Sequence, residues 1–196
     1  DNELILKKNF TTFKTLEDFM FLIYECSNQE PIVDIKVIYR DEVANFKISN
    51  QSDLDLKHKL SITTLCSKDY NIFPIWHEYY KKQGVDHFYI YYNGIVDDKK
   101  KFFDYDDVTL VEWPFKYWRP NVKGKHNAQP AHMNHSLYLF GKATSEYMIF
   151  CDLDEYLQTH LGKEIPNDMI SIKQLLLNKP QIDIITSVSY THLTLP

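Results

Sequence analysis

The chain has 196 residues, of which 44% are hydrophobic and 25% charged, and its formal charge is −5. That length supports one good-sized domain with a small appendage and a real core. The acidic balance speaks against a nucleic-acid binder driven by bulk electrostatics. No apolar run reaches the roughly 18–20 residues of a membrane helix, and no signal peptide is visible. Three cysteines, an odd count without scaffold spacing, do not suggest a disulfide framework. Cys66 and Cys151 lie in strand-like apolar runs and read as buried free thiols of a reducing compartment. The chain opens on Asp1, which reads as a missing native start.

Residues 1–58 read as an N-terminal appendage. Thr15 and Asp18 resemble a capping box, and Leu16, Phe19, Met20 and Ile23 recur at helical spacing. Val33, Ile35, Val37 and Tyr39 then alternate strictly, which predicts a strand. Asp41-Glu42 turns the chain into a second strand carrying Ala44, Phe46 and Ile48.

Residues 59–186 alternate strand and helix. Residues 60–66 form a buried-strand run that Ser67-Lys68-Asp69 breaks. Ile72, Ile75, Trp76, Tyr79 and Tyr80 follow as the stripe of an amphipathic helix. Pro74 fits only its first turn and Gly84 stops it. Residues 87–92 give the next strand, ended by Asn93-Gly94, so a parallel β-α-β unit is expected. A third strand spans 108–113, and Lys116 opens a polar, basic stretch that runs to Lys125. Residues 129–140 read as a helix with Met133, Leu137 and Phe140 inward, and 147–151 as the fourth strand. Ser171 and Gln174 form a capping box for a short helix through Leu177, and 182–186 a fifth strand. Residues 187–196 continue nothing before them and read as a non-native tail, the translation of a sequencing adapter. Strand-helix alternation of this kind indicates a three-layer α/β sheet.

The most informative stretch is Tyr147-Met148-Ile149-Phe150-Cys151-Asp152-Leu153-Asp154-Glu155-Tyr156-Leu157. An apolar strand delivers Asp152 and Asp154 to its carboxyl end, where residues i and i+2 share a side. Two clustered carboxylates stay ionised most easily around a cation. Mg²⁺ or Mn²⁺, completed by phosphate oxygens, suits such oxygen donors. Ligands of open α/β sheets also bind just beyond the carboxyl ends of strands. The pair therefore points to a metal-assisted site for a phosphorylated ligand. A calcium loop does not fit, because Leu157 stands where the EF-hand needs glycine.

Other polar residues read more plainly. His126, His132 and His135 lack a partner set with zinc spacing and read as polar helix surface, and His160 reads as a loop histidine. Lys99, Lys100 and Lys101, flanked by aspartates, read as a solvated loop. Trp113 and Trp118 serve either as core and loop anchors or as a sugar-stacking platform. Arg119, Lys123 and Lys125 either touch diphosphate oxygens or are solvated. Glu155 reads as an orienting or capping residue rather than a metal ligand.

Two blocks resemble the nucleotide-sugar-binding half of a GT-A-type glycosyltransferase of family-2-like and family-92-like kind. The first is Ser67-Lys68-Asp69-Tyr70, Ile75-Trp76-His77-Glu78-Tyr79-Tyr80 and Gln83-Gly84-Val85-Asp86-His87-Phe88-Tyr89-Ile90-Tyr91-Tyr92-Asn93. The second runs from Gln129 to Asp152-Leu153-Asp154-Glu155-Tyr156-Leu157. The resemblance covers about residues 60–186. It implies a three-layer α/β/α GT-A fold, here incomplete, that transfers sugar from a nucleotide-diphosphate donor, of UDP or GDP type, to a glycan or polysaccharide acceptor. It implies that Asp152 faces the ribose or metal and that Asp154 ligates Mn²⁺ or Mg²⁺ on the diphosphate. Ser67, Lys68 and Asp69 would line the nucleotide pocket, Asn93 would lie near the base or ribose, and Gln129 would open the helix beneath the donor. Tyr92 stands where the family usually has Asp, and Tyr70 where it has Glu. The family's catalytic base lies downstream of the fifth strand, so none is assigned and the chain by itself is expected not to turn over. Donor availability adds to the cysteines in favouring the cytoplasm, with membrane association of a longer protein left open.

Two other readings stand beside it. One is a non-catalytic nucleotide-binding remnant. The other is an Asp-x-Asp phosphohydrolase, whose motif wants Thr or Val where Tyr156 stands.

Overall fold

The structure is a computed structural model that describes residues 32–39, 42–49, 57–118, 128–159 and 170–181. The chain forms two compact units, Asp1–Lys57 with Phe115–Ser145 and His58–Pro114 with Glu146–Pro196. The expected helix near residues 15–23, the fifth strand at 182–186 and the tail at 187–196 lie outside the described residues.

In the first unit, β1 (Ile32–Tyr39) and β2 (Glu42–Ser49) form the expected antiparallel hairpin. Its register sets Val33 opposite Ile48, Ile35 opposite Phe46 and Val37 opposite Ala44. The same unit carries α2 (Ala128–Ser136), a π turn at Leu137–Gly141 and α3 (Lys142–Thr144). The buried positions of this helix are Ala128, Ala131, His132, Ser136 and Gly141. The expected inward residues Met133, Leu137 and Phe140 are only half-buried. Apart from His132, small side chains and not large apolar ones mark the inner face, and the π turn shifts the phase of everything after it. His132, expected on the surface, is 1% exposed.

The second unit is built on a parallel sheet of β3 (His58–Cys66), β4 (His87–Tyr92), β5 (Val108–Glu112) and β6 (Ser145–Phe150), in the order β5-β4-β3-β6. Parallel pairing of β3 with β4 and of β4 with β5 follows from the connecting segments. Contacts from β3 to the β6 strand advance in the same direction, from Lys59–Glu146 to the hydrogen bonds Ser61–Tyr147 and Thr63–Cys151.

One face of this sheet is covered by α1 (Phe73–Lys82), which follows a 3₁₀ turn at Tyr70–Ile72. Pro74 sits in its first turn, and Gly84, at φ +87°, ends it in the left-handed region that favours glycine. The buried stripe is Phe73, Trp76, His77 and Tyr80, whereas Ile75 is 67% exposed. With Phe73 as its first residue, helical spacing carries positions 73, 76, 77 and 80 inward and turns 75 outward. α4 (Ile172–Asn178) opens with the expected capping box, Ser171 and Gln174 each bonding the other's backbone. Its Ile172 and Leu176 join Leu60, Ile62, Phe73, Trp76, Tyr80, Phe88 and Ile90 in one core.

Candidate functional site

The strand order reverses at β3. From β3 the chain steps outward to β4 and β5, then returns to place β6 on the opposite side of β3. Helical connections diverge at such a switch point and leave a crevice beyond the carboxyl ends of the two strands on either side of the reversal, here β3 and β6. The segments that leave those ends here are Ser67-Lys68-Asp69 and Cys151-Asp152-Leu153-Asp154.

The acidic segment is a tight turn rather than a continuation of the strand. Glu155 N donates to Asp152 O at 3.1 Å and Asp152 N donates to Glu155 Oε2 at 3.0 Å. Glu155 thus caps the turn, as its sequence position suggests. Alternation survives into the turn, because Cys151 and Leu153 are buried while Asp152 is half-exposed and Asp154 exposed. Leu153, 4% exposed, pins the centre of the Asp-Leu-Asp triplet to the core.

The β3 end is tied to its neighbours. Asn93 N donates to Cys66 O at 2.7 Å, Asn93 Nδ2 donates to Trp113 O at 2.8 Å, and Ser67 Oγ donates to Asn93 O at 3.4 Å. Asn93 therefore laces together the ends of β3, β4 and β5. Lys68 and Asp69 are exposed, and Asp69 O accepts from Ile72 N to open the 3₁₀ turn before α1. Tyr92 is buried, with its ring 6.3 Å from that of Tyr70, which in turn lies 4.8 Å from that of Phe102.

Of the residues singled out from sequence, Ser67, Lys68, Asp69, Asn93, Asp152 and Asp154 all fall at the carboxyl edge of this sheet. Gln129 is the second residue of α2, in the other unit. Trp113 is buried with its ring edge-on to Tyr91, so it is a core residue, whereas Trp118 is 55% exposed. His126, Arg119, Lys123, Lys125 and His160 lie outside the described residues.

Both described cysteines are free and buried at this edge. Burial, and then the charge of Asp69, pushes the Cys66 thiol up to about 12. Burial also pushes Cys151 up to about 12, with the charges of Glu155, Asp152 and Asp154 adding to it and a hydrogen bond to Tyr80 opposing it. Neither is a nucleophile at neutral pH.

Periodicity did not reveal the part played by two tyrosines of α1. Tyr80 Oη donates to Glu155 O at 3.1 Å and accepts from Leu157 N at 3.1 Å, and Tyr79 Oη donates to Leu157 O at 2.6 Å. Both residues stand in the sequence as ordinary members of an apolar stripe.

The family model described as Glycosyltransferase family 92 matches residues 61–194. The chain belongs to this family. The match begins inside β3, contains both blocks that carry the resemblance and extends through most of the last ten residues. It sets aside the phosphohydrolase reading of Asp152 and Asp154. Searches of curated proteins and of solved structures return no match. Among the described residues no helix is long and apolar enough to cross a membrane.

Proposed function

We propose that this family 92 chain binds a nucleotide-diphosphate sugar at the carboxyl ends of β3 and β6, in a GT-A-type three-layer domain, and that a divalent cation held by Asp152 and Asp154 assists transfer to a glycan acceptor. The observation that carries this reading is the position of the acidic turn at the reversal of strand order, with Leu153 buried between two outward carboxylates.

The donor set fits Mg²⁺ or Mn²⁺. Among the described residues no three His, Cys, Asp or Glu side chains come together as a metal cluster, and the Glu155 carboxylate already accepts the Asp152 amide. Two hard oxygen ligands from the protein suit ions that fill their remaining positions with water and phosphate oxygens. When bound, the cation supplies Lewis-acid neutralisation of charge on the leaving diphosphate. The chain's own residues position and read the donor: Ser67, Lys68 and Asp69 line the nucleotide, and Asn93 fixes the edge beside the base or ribose. The base is of UDP or GDP type and the acceptor a glycan or polysaccharide. The two described cysteines, both free, accord with a reducing, cytoplasmic location.

Paramagnetic broadening tests this. Mn²⁺ should broaden the amide signals of Asp152, Leu153 and Asp154 first, and UDP or GDP should sharpen that preference. Broadening spread evenly over surface carboxylates would count against the site.

A further inference from the structure

The Tyr80 hydroxyl is 0% exposed and lies among three groups of one loop. It accepts from Cys151 Sγ at 3.5 Å and from Leu157 N at 3.1 Å, and it donates to Glu155 O at 3.1 Å. A hydroxyl has one proton to give and two lone pairs to receive, so its capacity is filled. Those partners bracket the acidic pair: Cys151 directly precedes Asp152, and Glu155 directly follows Asp154. Tyr79 adds a bond to Leu157 O, and its ring meets Tyr156 edge-on at 5.0 Å. The ring of Tyr80 is held separately, against Trp76 at 4.7 Å, so ring packing and hydroxyl bonding are separable functions of one side chain.

We infer that Tyr80, assisted by Tyr79, is the positioning residue of the Asp152–Asp154 turn, setting the direction in which its carboxylates meet a cation. Leu153 sets the depth of the turn, but one buried side chain and the turn's own Asp152–Glu155 bonds leave it free to rotate about the end of β6. Three bonds into a buried hydroxyl remove that freedom and make α1 the reference frame for the acidic pair. The inference rests on the donor-site reading, because its consequence is for metal-dependent nucleotide binding.

Tyr80→Phe keeps the ring and deletes all three bonds. Two measurements on the full chain test it: amide hydrogen exchange, and UDP affinity with and without Mn²⁺. The expected result is about tenfold faster exchange at Leu157 with β6 unchanged, and about tenfold weaker Mn²⁺-dependent UDP binding. UDP affinity without Mn²⁺ should stay the same, which general loosening of the fold would not permit. Unchanged exchange at Leu157, or faster exchange with undiminished Mn²⁺-dependent affinity, would overturn the inference. So would equal losses with and without metal. Absence of Mn²⁺-dependent binding in the unaltered chain would overturn the donor-site reading and this inference with it, and the exchange data alone then report whether the clamp exists. If Tyr80→Phe does not fold, Tyr79→Phe replaces it; about threefold weaker Mn²⁺-dependent binding is expected there, and no change would overturn the inference.

Discussion

Asp152 and Glu155 close on each other, the amide of Glu155 donating to the carbonyl of Asp152 while the carboxylate of Glu155 receives the amide of Asp152. Glu155→Ala removes one of these two bonds in an exposed setting. The cost should be up to about 1 kcal/mol of stability. Mn²⁺ affinity should fall but persist, because the ligating carboxylates remain. Thermal melts and metal titration of this variant check both points.

Asp154→Ala should have the opposite profile. The side chain is exposed in a turn, so stability should change by no more than about 0.5 kcal/mol. Metal-dependent nucleotide binding should be abolished. Undiminished affinity would remove Asp154 from the site.

Leu153→Ala probes the anchor between the aspartates. Deleting a core leucine costs about 2–5 kcal/mol, and Leu153 is buried and belongs to the same core as the sheet. Denaturant unfolding should show the loss. A cost below about 1 kcal/mol would mean that the triplet is not pinned as described.

Much of this arrangement was legible in the sequence. The strands at β3 and β4, the capping box at Ser171 and the stop at Gly84 follow from local chemistry: runs of apolar residues, a paired Ser and Gln, a residue free to adopt positive φ. Ile75 was misplaced because the buried stripe, Phe73, Trp76, His77 and Tyr80, is rotated towards His77, a residue that carries no apolar signal. His132 was misplaced because its burial depends on small neighbours, Ala128 and Ala131, that carry little hydrophobic signal. The site's aspartates were visible as a motif. Their tether was not, since Tyr80 and Glu155 are 75 positions apart and Tyr79 and Leu157 are 78. Periodicity reports which way a tyrosine ring faces and nothing about what its hydroxyl meets.

Stability should fall in two stages on acidification. Burial, with His58 adding to it, holds His87 down at about 4, and burial holds His132 down at about 4, both from a usual 6.5. Between those values the unfolded chain binds more protons, so stability is lost as pH falls from about 6.5 to 4. Burial would raise the Asp86 carboxyl, but hydrogen bonds from Lys173 and from the Leu60 and Lys59 amides outweigh it and leave it low. Asp107 is likewise lowered against burial, by Lys81 and His77. Their contribution is present above the ordinary value of 3.8 and is lost as pH falls through the lower folded values. Thermal melts from pH 7 to 2 should show both stages; a flat Tm from pH 7 to 4 would contradict the first.

Gly84→Ala should destabilise by more than about 1 kcal/mol. The residue has φ +87°, and an added Cβ would stand 2.6 Å from Lys173 Cβ at the start of α4. Because Lys173 N also donates to Gln83 O, the helix cannot simply move away. Denaturant unfolding of the variant measures this directly.

The proposed donor site at Asp152 and Asp154 depends on a divalent cation. Calorimetric titration of the folded chain with UDP and GDP, each with and without Mn²⁺, tests it most directly. Binding of at least one nucleotide that Mn²⁺ strengthens, with that gain lost in Asp154→Ala, is the predicted result. Binding indifferent to Mn²⁺, or none by a chain shown to be folded, would contradict it.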